Sequence, residues 1–120
     1  MKTWIQIEAE QKEICKKLDL TWTPVDERLM IAINKSIFSN VQPINGLRHP
    51  KQESISGWYL WSGGEIPQDD NNFFQPIHPI HLIERREIIL KYLGLPVGWR
   101  FQIDDRGYED VWFDEEIIIE

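Results

Sequence analysis

The stretch Ile55–Gly64, ISGWYLWSGG, sets the strictest condition on the fold. Its aromatic and aliphatic content marks a β-strand that ends at the double glycine. Side chains alternate across a strand, so Trp58 and Trp61 fall on opposite faces. Apolar residues at both parities require both faces of the sheet to be covered here. One tryptophan then supports the core, and Trp61, beside Gly63-Gly64 and Glu65, is expected at the surface. A chain of 120 residues, 42% hydrophobic and 28% charged, is long enough for one such core and short for two, so residues 1–120 are read as a single domain.

The remaining elements follow from periodicity and punctuation. From Thr3 to Leu18, the residues Ile7, Ile14, Cys15 and Leu18 share one side of a helix, with Glu8, Lys12, Glu13, Lys16 and Lys17 mostly elsewhere. Thr23, Pro24 and Asp26 suit the opening of a second, short helix. The apolar run Leu29–Ile33 is read as a buried strand, and Pro43 with Asn45-Gly46 marks the following segment as a strand or irregular edge. Residues 64–79, GEIPQDDNNFFQPIHP, are expected to be a loop pinned by Phe73 and Phe74. From Pro79 to Leu93, the recurrence of Leu82, Ile83, Ile89, Leu90 and Leu93 predicts a helix, with Gly94 and Pro96 beyond its end. WRFQI and YEDVWF flank Asp104-Asp105-Arg106-Gly107 as a hairpin. Two main helices and four or five strands without regular alternation give an α+β domain, mainly antiparallel.

The charge is local. The net charge is −7, and the segment from Asp104 to Glu120 carries eight acidic residues against Arg106 alone, which leaves residues 1–103 neutral. Such a field repels phosphate backbones and attracts basic surfaces, so nucleic acid falls to the bottom of the list of direct partners, none being expected, and a basic protein rises. The charged N-terminus lacks the apolar core of a secretory signal, and no apolar run approaches the ~18 residues of a membrane span. A cytoplasmic protein without a membrane partner is the expectation.

Little in the chain makes a positive case for catalysis. Cys15, the only cysteine, sits in the helical context EICKK and is read as a buried structural thiol. His78, His81 and Glu84 stand three apart, but His78 precedes Pro79 and falls outside the helix, so no zinc site is expected. The pairs Asp69-Asp70, Asp104-Asp105 and Glu109-Asp110 read as solvated turns or faces, since spacing alone does not place two carboxylates about one substrate. Nucleophile, phosphate-loop and dinucleotide motifs are absent from the sequence. The aromatic residues are more informative. Trp99, Phe101 and Ile103 point to the core with Arg100 and Gln102 outward, whereas the last strand mixes Tyr108, Asp110 and Trp112 on one face with Glu109, Val111 and Phe113 on the other. Charged and aromatic groups side by side are the mixture of protein contact surfaces.

Taken in order, LMIAINKS, SGWYLWSGGE, NNFFQPIHPIHL, ILKYLGLPVGWRF and GYEDVWFDEE resemble a family of short bacterial proteins, the immunity-protein-like domains of polymorphic toxin systems, otherwise labelled a domain of unknown function. The similarity covers about Leu29 to Glu116 and leaves the N-terminal helix outside. The resemblance implies a small cytoplasmic α+β protein that binds a toxin domain and blocks it, with no cofactor and no turnover, and it assigns no residues.

Charge location and aromatic content direct attention to Trp61, Glu65, Asp69, Asp70, Glu109, Asp110, Trp112 and Asp114 as the partner-binding residues of a stoichiometric inhibitor of a basic toxin domain. The alternative is a small-molecule or enzymatic site that uses the Trp58/Trp61 strand and the Asp69-Asp70 loop, with His78 or His81 as the titrating group. A regulatory subunit without a toxin shares the first surface.

Overall fold

The computed structural model describes residues 3–26, 28–52, 55–67 and 69–119. Helix α1 (Trp4–Lys17) opens on a capping box: Thr3 Oγ1 accepts from the Gln6 amide while Gln6 Oε1 accepts from the Thr3 amide. It closes with Asp19 in the left-handed region (φ 59°), where the Asp19 amide donates to Lys16 and the Leu20 amide to Cys15. Ile7, Gln11 and Cys15, four residues apart, form its buried stripe. Gln11 is the polar member. Its Nε2 donates to the Leu90 carbonyl (2.8 Å) and its Oε1 accepts from Trp22 Nε1 (3.1 Å), so neither end is left without a partner.

Six strands form one mixed sheet: β1 (Met30–Ile33), β2 (Ile44–Arg48), β3 (Ile55–Ser62), β4 (Gln75–Ile77), β5 (Trp99–Ile103) and β6 (Glu109–Phe113), in the order β4-β1-β3-β2-β5-β6. Four neighbouring pairs are antiparallel, and β1 runs parallel to β3. The sequence leads to four or five strands, and the additional one is β4, inside the expected loop. The expected helix over Pro79–Leu93 is broken. A 3-10 turn (Pro79–His81) leads into α2 (Leu82–Arg85), the chain departs from helix at Arg86 (φ −150°, ψ 55°), and α3 (Glu87–Leu90) follows. At the break, Arg86 Nε donates to the Ile37 carbonyl (2.6 Å), an interaction outside the helix that fixes the side chain across the break. The residues Thr23, Pro24 and Asp26 open no helix: residues 21–26 are irregular, and the Thr23 and Pro24 carbonyls instead accept from the buried guanidinium of Arg48. A 3-10 turn at Lys35–Phe38 and the helix α4 (Glu116–Ile119) are the other elements among the described residues.

The sheet buries both faces. On the helix side Trp58, Leu60 and Phe101 pack with Ile7, Leu82, Ile89, Leu90, Leu93 and Leu95. Trp58 Nε1 donates to the Leu93 carbonyl (3.1 Å), and the Tyr92 ring stacks on Phe101 at 4.8 Å. On the opposite face Leu47, Trp61 and Ile117 pack with Tyr59, Ile66, Phe73 and Phe74. Trp58 and Trp61 do lie on opposite faces, but both are core: Trp61 is only 5% exposed and its Nε1 donates to the Gly64 carbonyl (2.8 Å). The cover comes from the loop after β3, whose Phe74 meets the Tyr59 ring edge-on at 5.1 Å, and from Ile117 of α4.

Candidate protein-binding surface

The acidic segment folds into the predicted hairpin. Asp104 Oδ1 accepts from the amides of Arg106 and Tyr108 (both 2.9 Å), and Gly107 takes φ +93°. The hairpin places β6 at one end of the sheet, paired with β5 alone among the described residues. Facing residues in an antiparallel pair share a side, and the register sets Asp110 opposite Gln102, Trp112 opposite Arg100, Glu109 opposite Ile103 and Phe113 opposite Trp99. Asp110 and Trp112 therefore project from the face opposite α1, and Glu109 and Phe113 from the α1 side.

On the face opposite α1, Arg100 joins two of the expected residues. Its Nη1 contacts Asp114 Oδ2 at 3.1 Å, and its guanidinium lies over the Trp112 ring at 5.3 Å. Arg100 also lines a cavity of about 440 Å³ with Gln102, Asn45, Trp61 and Glu65, so Glu65, Asp114 and Trp112 form one neighbourhood around it. Asp69 and Asp70 do not share a pocket with these residues. They sit exposed on the loop after β3, where Asp70 Oδ1 accepts from the Asn72 amide (3.0 Å) and its carbonyl from the Phe73 amide. Trp61 contributes to the cavity wall from a buried position, a correction of the expected exposed aromatic.

On the helix side, Glu109 accepts a hydrogen bond from the Tyr92 hydroxyl. Burial of Tyr92, with the carboxylate beside it, pushes that hydroxyl well above the usual phenol range. A groove of about 490 Å³ runs between α1 and β6, floored by Ile14, Leu18 and Val111 and edged by Glu10, Glu13, Glu109 and Asp110, with Lys17 and Lys91 also lining it. Glu10 and Glu13 thus set two carboxylates of α1 beside the hairpin, offset by Lys17 and Lys91, so four acidic and two basic residues line the groove. Sequence reasoning missed Glu10 and Glu13, although their spacing with Ile14 and Lys17 sets them near one stripe of the helix.

The residues offered for other chemistry are placed differently. Trp58 is fully buried, which removes it as the wall of a ligand site. The His78 and His81 rings are 6.4 Å apart, the Glu84 side chain lies outside the described residues, and no group of three potential ligands among the described residues is arranged to hold a metal ion. Cys15 is buried, donates to the Gly94 carbonyl (3.4 Å) and has its thiol pKa raised by desolvation. Glu120 of the acidic tail lies outside the described residues. No helix among the described residues is long and apolar enough to cross a membrane.

Comparison with known proteins matches neither a curated protein nor a solved structure. A family model, the Imm33-like domain, matches residues 10–114. The match begins within α1, earlier than the Leu29 boundary that the sequence blocks suggest, and takes in Gln11 and Cys15, which bond to the backbone of Leu90 and Gly94. The second half of α1 is therefore part of the shared domain, and the chain belongs to the Imm33-like domain family.

Proposed function

We propose that the chain is an immunity-type protein that binds a cognate toxin domain and neutralises it stoichiometrically, without catalysis or a cofactor. The family name supports the class of function. The observation that carries the choice of surface is the position of β6: an exposed sheet edge that bears Glu109 and Asp110 between the exposed rings of Tyr108 and Phe113. The partner is a basic protein domain. Toxins that act on nucleic acid carry a positive surface, and an acidic edge beside it raises the rate of encounter while it repels phosphate backbones. Arg100, Trp112, Asp114 and Glu65 form the adjoining neighbourhood of the same surface, and Asp69 and Asp70, on a separate loop, are not needed for it.

The test is affinity capture of the tagged protein from its native host, alongside the Glu109→Lys/Asp110→Lys variant, followed by expression of the captured partner with and without the protein. The expected outcome is one dominant basic partner that arrests growth alone and is harmless in co-expression. The double reversal weakens binding on the order of 100-fold at low salt and less at moderate salt. A partner that is not toxic sinks the immunity reading. A toxic partner bound equally well by the variant at both salt concentrations moves the interface away from β6.

A further inference from the structure

We infer that β6 takes its partner by strand addition: the free edge accepts an extended basic segment of the partner as a seventh strand. This rests on the toxin-binding reading for its biology and on the backbone of β6 for its geometry. At one end of the β5–β6 ladder the Asp104 amide donates to the Tyr108 carbonyl, and at the other the Asp114 amide donates to the Gly98 carbonyl. In an antiparallel pair, hydrogen-bonded and non-hydrogen-bonded positions alternate. Both ends agree in phase: Asp110 and Trp112 direct their backbone groups at β5, and Glu109, Val111 and Phe113 direct theirs at the open side. Each of those residues offers one N–H and one C=O, in a strand of five residues.

Proteins guard such edges with proline, lysine, short strands or cover. The opposite edge follows that rule, since β4 has three residues with Pro76 at its centre, which has no amide proton to donate. In β6 no residue lacks an amide proton and none is basic; its guard is the pair Glu109 and Asp110. That pair also selects the occupant. A second copy of the chain would bring two acidic segments together, so like charge opposes self-pairing, while a strand carrying lysine or arginine is attracted. The helix-side groove, whose four carboxylates outnumber Lys17 and Lys91, suits such a residue. An incoming side chain on the Glu109 face lays its aliphatic stem along Ile14, Leu18 and Val111 and its cation beside Glu10 and Glu13. Edge pairing of this kind draws affinity from the main chain and specificity from alternate side chains.

The experiment uses the full chain, isotope-labelled, and a capped peptide of about nine alternating lysine and valine residues, with a glutamate–valine peptide as the control. Amide hydrogen exchange is followed residue by residue. With the lysine peptide the amides of Glu109, Val111 and Phe113 are expected to slow by about tenfold or more, and those of Asp110 and Trp112, already bonded to β5, to change little. Val111→Pro removes one outward donor without touching the β5 ladder and is expected to weaken the peptide by about tenfold. If that variant does not fold, the exchange pattern of the unaltered protein still decides. Peptide binding without protection at the three amides, binding unaffected by Val111→Pro, or no binding at millimolar peptide overturns strand addition. Protection of the same amides by rising protein concentration alone overturns the choice of occupant. Toxin neutralisation with unprotected amides leaves the immunity reading standing and removes this one; protected amides without any toxic partner do the reverse.

Discussion

Gly46 lies on β2 between Leu60 of β3 and Phe101 of β5, and Gly46→Ala tests how tightly the helix-side core is closed. A β-carbon there would stand 2.1 Å from Phe101 Cε2, 2.4 Å from Cζ and 2.9 Å from Cδ2. Carbon atoms in contact prefer about 3.5–4.0 Å, so the ring would have to withdraw by roughly 1.5 Å. It has little room: Phe101 is 1% exposed, stacked on Tyr92 at 4.8 Å and packed against Trp58 at 5.8 Å. Overpacking of this kind costs about 1–3 kcal/mol, and a clash with a ring held on two sides belongs at the upper end, about 3 kcal/mol. For a chain of this size that is a fall of about 10 °C in Tm. Urea unfolding of Gly46→Ala, Phe101→Leu and the double variant gives the cycle. Leucine lacks the ring atoms that clash, so the double variant should be at least ~1 kcal/mol more stable than the sum of the single losses predicts. A loss below ~0.5 kcal/mol for Gly46→Ala, or strict additivity, would refute the close approach as the reason for glycine at this position.

Two further perturbations test the ends of α1 and the link between the core and β6. Asp19 adopts φ 59° as the residue that closes the Schellman turn after α1, and an acidic side chain also opposes the helix dipole there. Asp19→Gly should raise stability by about 0.5–1 kcal/mol in thermal unfolding, and a neutral or lower Tm would contradict the strain argument. Tyr92→Phe removes the donor to Glu109 and should cost about 1 kcal/mol at neutral pH. The folded protein holds the Tyr92 proton more tightly than the unfolded chain does, so this contribution is complete below the unfolded phenol value of about 10 and is lost as the pH rises above it. Stability curves of the unaltered protein and the variant should therefore converge in alkali; a gap that stays constant above pH 10 would deny the hydrogen bond that role.

The parts of this fold that can be read along the chain are those whose reasons are local. The stripe with Ile7 and Cys15 suffices for α1, and Asp104 and Gly107 suffice for the hairpin. Elements that depend on distant groups are not legible. β4 exists because Ile77, Pro76 and Gln75 pair with β1, and a three-residue strand with a central proline shows no alternation of its own. The break at Arg86 coincides with a side-chain bond to Ile37, forty-nine residues away. Trp61 has the sequence context of a surface residue, and its burial follows from Phe74 and Ile117, which no pattern around β3 announces. The candidate surface divides in the same way. Glu109, Asp110, Trp112 and Asp114 belong to one hairpin strand and its exit, so their proximity is local, whereas Glu10 and Glu13 reach the same groove only through the packing of α1, and Asp69 and Asp70 end on a separate loop.

The means by which the β6 edge is guarded bears on its use. Proline would remove the amide protons that pairing needs, as it does in β4, and a covering helix would occlude them; carboxylates leave the backbone intact and make access conditional on the charge of whatever approaches. Under the proposed strand addition, such a guard discriminates by repulsion as well as by attraction, turning away acidic chains and nucleic acid and drawing in basic segments. On one side the guard has support from the core. Glu109 is held by Tyr92, Tyr92 is stacked on Phe101, and Phe101 fills the space that Gly46 leaves open, so one carboxylate of the edge is anchored to the centre of the core. An anchored charge loses less side-chain entropy when it meets a partner, whereas Asp110, exposed and pointing to the other face, acts chiefly through the long-range field. If β6 takes a basic strand as proposed, the two adjacent acids divide the work: Asp110 contributes to the rate of encounter, and Glu109 to the persistence of the complex.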